Sequence, residues 1–146
     1  MTMHPFLFQQ GTWLGVGELQ ISGSAEALPI FTRWEVEAMR KKRLSCKQVV
    51  EIPSAHHKGI NYYRLTLLTT NEFEIELRNE LLHTKGHGLI TDNAITWKYE
   101  DKETLKGEET FTLQTNDEYL FRANFFSAVQ QETHINGKIW KTSNVS

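Results

Sequence analysis

A chain of 146 residues with 39% apolar and 23% charged residues has the length of one ordinary domain and a composition that argues against intrinsic disorder. A net charge of −2 removes any bulk attraction to nucleic acid, and a single cysteine, Cys46, excludes an internal disulfide. No run approaches the roughly 20 apolar residues of a membrane-spanning helix, and "MTMHPFLFQQ" lacks the basic n-region of a signal peptide. The expectation is a cytoplasmic protein with no nucleic-acid partner and no membrane insertion.

In chain order, "HPFLFQQ" (4–10) predicts a short apolar helix. "GTWLGVGELQI" (11–21) alternates, with Trp13, Gly15, Gly17, Leu19 and Ile21 on one face and Leu14, Val16, Glu18 and Gln20 on the other, the period of a half-buried antiparallel strand. "SAEAL" (24–28) predicts a second helical turn. Thr32, Trp34, Val36 and Ala38 then alternate with Arg33, Glu35 and Glu37. The cations of "MRKKR" (39–43) fall between strands, where a solvated hairpin tip explains them better than an anion site. Leu44, Cys46, Gln48, Val50 and Ile52 share the next apolar register. "AHHKG" (55–59) reads as a turn, and Tyr63, Leu65 and Leu67 follow on one face.

After "TTNE" (69–72), Phe73, Ile75 and Leu77 alternate with Glu72, Glu74, Glu76 and Arg78. The glycines of "HTKGHG" (83–88) argue for strand over helix. Beyond "TDN" (91–93), "AITWKYE" presents Ile95, Trp97 and Tyr99, and "ETFTLQ" presents Phe111 and Leu113. "TND" (115–117) turns into "EYLFRANF", with Tyr119, Phe121, Ala123 and Phe125 on one face. "SAVQQ" (127–131) predicts a third helical turn, and "NG" (136–137) is a turn signal before the closing "GKIWK".

Strands recurring at this spacing, with room only for capping helices, indicate an all-β fold. The reading is an up-and-down antiparallel β-barrel of about nine or ten strands by this pattern, one domain over 1–146, with a short N-terminal closing helix. Closure removes the two free edges that a long meander would otherwise expose, and small closed barrels hold one small ligand. An open half-barrel or sandwich is the alternative.

Gly11-Thr12-Trp13, following the short "HPFLFQQ" segment, resembles the first-strand signature of the lipocalin and fatty-acid-binding (calycin) superfamily. The "GTWLGVG" form is similar to the small intracellular branch containing nitrobindin-like haem proteins and related bacterial proteins. The resemblance implies that Trp13 plugs the closed end and that a basic residue of the last strand, Lys138 or Lys141, packs over its ring. It implies a haem ligand near the C-terminus as well, for which His134 is the nearest histidine, in a context that differs from the family's motif. Gly11, Gly15 and Gly17 fit barrel closure, glycine absorbing sharp bends at strand corners.

The inward aromatics then form candidate walls for a small hydrophobic or amphipathic molecule: Trp34, Tyr63, Trp97, Tyr119 and Phe121, with Gln48 as polar anchor. Thr32 and Thr96 also fall on apolar registers. The same side chains would serve equally to build a filled core, in which case the protein is a binding module without a cavity. No metal constellation emerges: His56 and His57 point to opposite faces, and His83 and His87 sit about 13 Å apart on a strand. Cys46 reads as a small buried hydrophobe. A barrel enzyme, an isomerase or lyase acting on a bound chromophore or lipid, would draw on Arg64, His87 and Glu109. A haem-linked barrel would use His87 or His134. Non-catalytic ligand binding is the leading reading, and a homodimer stays open.

Overall fold

The computed structural model describes residues 4–101, 105–115, 117–127 and 130–142. Ten antiparallel strands form one closed barrel in which each pairs with its sequence neighbours and the last returns to the first. In order they are β1 (Gly11–Ile21), β2 (Ala27–Val36), β3 (Arg43–Ile52), β4 (His57–Leu67), β5 (Glu72–Arg78), β6 (His83–Ile90), β7 (Ala94–Asp101), β8 (Leu105–Thr115), β9 (Glu118–Ser127) and β10 (Gln130–Lys141). Period-2 alternation places one register inside and the other in water, as the buried series Phe73, Ile75 and Leu77 of β5 shows.

The barrel shuts where β1 meets β10, and glycine makes that seam possible. Gly17 lies directly opposite Gly137. A Cβ on Gly17 would stand 2.3 Å from the Asn136 carbonyl oxygen, and one on Gly137 would stand 2.2 Å from that of Val16. The glycines thus serve close backbone approach. This corrects the expected turn at 136–137: Asn136 and Gly137 lie inside β10, because the seam needs a residue without a side chain there.

The N-terminal helix is a single turn, α1 (Pro5–Phe8), in which Phe6 and Leu7 leave helical geometry and Leu7 adopts φ 75°. The irregularity turns Phe6, Leu7 and Phe8 all into the core. "SAEAL" is not helical: Ser24–Glu26 are irregular and β2 starts at Ala27. "SAVQQ" is not helical either, since β9 runs to Ser127 and β10 begins at Gln130; Ala128 and Val129 lie outside the described residues, as does Asn116 of the "TND" turn. Among the described residues no helix is long and apolar enough to cross a membrane.

Candidate functional site

The barrel has unlike ends. At the closed end the Phe6 ring packs against Phe111 (4.8 Å between centroids), Trp13 (5.3 Å), Trp34 (5.4 Å) and Tyr119 (5.6 Å). His4 ties the segment down. Its Nε2 lies 2.6 Å from the Thr91 carbonyl oxygen, and its Nδ1 lies 2.8 Å from the Tyr119 hydroxyl. A carbonyl only accepts, so Nε2 carries the hydrogen and donates it to Thr91. Trp13 is fully buried in this plug. Across the seam it faces Lys141, whereas Lys138 is opposite Val16 and exposed on the outer wall. Of the two expected partners for Trp13, Lys138 is therefore ruled out by strand parity.

Towards the other end lies a cavity of about 330 Å³. Its deep part is bordered by Trp34, Gln48, Tyr63, Glu109, Phe111, Phe121 and Ala123, and its outer part by residues including Ile30, Ile52, His57 and Ile135. Four of the expected ligand-facing residues, Trp34, Gln48, Tyr63 and Phe121, border it. Trp97 and Tyr119 do not: Tyr119 belongs to the plug, and Trp97 is sealed behind Glu109. Thr32 is inward and borders the cavity, but Thr96 sits on the outer face beside Thr110, because Ile95 and Trp97 take the inward positions of β7.

A ladder of polar side chains descends one wall. Asn79 Nδ2 donates to Asn61 Oδ1 (3.0 Å), and Asn61 Nδ2 donates to Gln48 Oε1 (2.9 Å). The Tyr63 hydroxyl donates to the same Gln48 oxygen (3.2 Å). At the level of Tyr63 lies Glu109, 6% exposed. Glu109 Oε2 accepts hydrogen bonds from Trp97 Nε1 (2.9 Å) and the Tyr99 hydroxyl (3.1 Å). Register explains the arrangement: Glu109 pairs with Trp97 on β7 and with Ala123 on β9. The indole supplies a donor on one side, and the small alanine leaves room on the other.

Burial raises the Glu109 carboxyl from 4.5 to about 7, and the hydrogen bonds from Tyr99 and Trp97 pull it back only in part. Burial, reinforced by Glu109, also lifts the Tyr63 and Cys46 groups. Cys46 is thus an inert buried thiol, not a nucleophile. Among the described residues no Lys or Arg borders the cavity.

The other candidates for chemistry are outside. Arg64 and His87 are exposed on the outer wall, His87 beside Glu72. His134 is exposed and bonded to Asn124. Haem held from within by His87 or His134 does not fit this arrangement. His4 is buried but has both ring nitrogens engaged, and the one histidine bordering the cavity, His57, is an exposed rim residue. Among the described residues no three metal-ligating side chains converge.

The fold can be set beside solved structures. Rv2717c from M. tuberculosis superposes with a TM-score of 0.72 at 13% identity, covering 93% of this chain and 92% of that one. The S-type phycobiliprotein lyase CPES from Guillardia theta superposes with 0.68 at 11% identity, over 93% and 89%. A de novo designed fluorescence-activating β-barrel gives 0.50 at 11% identity, over 97% and 100%. No protein-family model and no curated protein sequence matches the chain. At such identities the likeness is one of architecture alone, a closed antiparallel β-barrel.

Proposed function

We propose that the chain binds one small, largely apolar molecule with a polar group inside the barrel, without transforming it. The observation that carries this reading is the cavity itself. Its volume of about 330 Å³ falls at the small end of ligand pockets, and its lining, apolar with a few convergent polar groups, is the usual character of such sites. Barrels of similar architecture named as a phycobiliprotein lyase and as a fluorescence-activating design lend support. A lyase or isomerase would need an acid–base pair, and Arg64 and His87 are on the wrong side of the wall to join Glu109. Kinship with the nitrobindin-like branch belongs to the same reading, on the strength of the Gly11-Thr12-Trp13 opening, and so does the cytoplasmic setting expected of a chain with a single cysteine.

Native mass spectrometry of protein purified gently from its own host, with calorimetric titration of octanol, tests this. The expected results are a co-purifying small molecule or uptake of one octanol per barrel. Ala123→Phe, which fills the space beside Glu109, is expected to abolish both. An apo mass with no octanol uptake in the wild type refutes the reading.

A further inference from the structure

The cavity has a chemical polarity that bears on what enters it. Resting on the binding function above, we propose that it is a receptor for an amphipathic molecule carrying a basic nitrogen, which docks on the Glu109 carboxylate against the aromatic floor while the apolar remainder fills the mouth.

Glu109 is the one acid bordering the cavity among the described residues, and no Lys or Arg borders it. Burying a carboxylate without a partner is costly, and a cation arriving with the ligand would relieve that cost. A fatty-acid carboxylate would meet the opposite situation: no cation to pair with and an acid close by.

Both donors to Glu109 aim at Oε2, and neither bonds Oε1. On the β9 side its strand partner is Ala123, whose side chain is a single methyl, and Glu109 itself borders the cavity, so a ligand head has an approach to the carboxyl. The groups facing Glu109 from the packed elements are Trp97 and Tyr99 on β7, Tyr63 on β4 and Cys46 on β3. All are neutral acids or donors, and none supplies positive charge.

Trp34 and Tyr63 stack at 5.1 Å and, with Phe111 and Phe121, border the same deep cavity. Aromatic faces attract ammonium groups, most strongly when water is excluded. Carboxylate and ring faces together form a surface suited to a protonated amine.

Calorimetric titration of the full chain with octylamine, octanol and octanoate, which share one alkyl body, tests this. At pH 8 octylamine is expected to bind at least about tenfold more tightly than octanoate, with octanol between them. From pH 8 to pH 6 octylamine affinity is expected to fall about tenfold, as the carboxyl takes up a proton that the ammonium must displace, while octanol stays flat. Glu109→Gln is expected to erase the advantage of amine over alcohol. Should that variant not fold, the pH series on the wild type decides alone. Octanoate binding as well as octylamine, or amine affinity that does not change with pH, overturns the proposal. Uptake of none of the three overturns the binding function beneath it.

Discussion

Glu109 makes stability depend on pH in a direction opposite to that of most carboxylates. Its carboxyl lies near 7 in the folded chain against an ordinary 4.5. Between those values the folded state holds a proton that the unfolded state has released. The slope of stability against pH follows the protons bound by the unfolded state minus those bound by the folded state, so here it is negative. The stabilisation is fully present below pH 4.5, declines as pH rises to about 7 and is gone above it. A change of this size corresponds to about 3 kcal/mol, a large fraction of the 5–15 kcal/mol that holds a typical domain together.

Glu109→Gln keeps an acceptor for Trp97 and Tyr99 but cannot ionise. Urea unfolding of ligand-free protein, followed by tryptophan fluorescence at pH values from 4.5 to 8, separates the two chains. Wild-type stability minus variant stability is expected to fall by about 3 kcal/mol across that range, so that the variant gains on the wild type as pH rises. Other titrating groups are common to both and cancel. A difference that stays constant with pH would refute the reasoning, since it would mean that the carboxyl titrates alike in both states.

Two further predictions concern the walls. Gly17→Val places a Cβ at 2.3 Å from a backbone oxygen, with Gly137 behind it; thermal melting is expected to show a severe loss of stability, whereas Gly11→Ala, meeting the Lys141 Cε at 3.4 Å and the Trp13 Nε1 at 4.0 Å, should melt close to the wild type. Phe6→Ala removes a fully buried ring from the plug and should cost about 3–5 kcal/mol in urea unfolding; a loss under 1 kcal/mol would show that the N-terminal segment does not close the barrel.

The alternation of β5 and β9 is visible in the sequence because one face of each meets water, so parity alone sorts Phe73 or Phe121 inward. Parity also separates Glu109, on the inward register of Phe111 and Leu113, from Arg64, which alternates with the buried Tyr63 and Leu65. What Glu109 is paired with is not recognisable, because the Trp97–Glu109 partnership depends on the register between β7 and β8. The same limit hides the His4–Tyr119 bond, which joins residues 115 positions apart. Local signals mislead where tertiary contact overrides them. Asn136-Gly137 has turn chemistry but serves a strand seam, and "SAEAL" has helix formers in too short a run to nucleate.

The two ends of the barrel are filled differently. Along the axis the inward positions change character while the strands stay the same. Trp13, Trp34, Phe73, Phe111 and Tyr119, together with Phe6, crowd the closed half. Leu19, Ile30, Val50 and Ile135 border the other half together with Phe125 and Leu82, around a cavity of about 330 Å³. A module with a solid core would need large side chains at both levels, and it would have no reason to set an acid opposite Ala123. A buried carboxyl that weakens the fold as pH rises is a liability unless something offsets it. The open half of the barrel is where that compensation can enter, so the empty space and the costly carboxyl are best understood together.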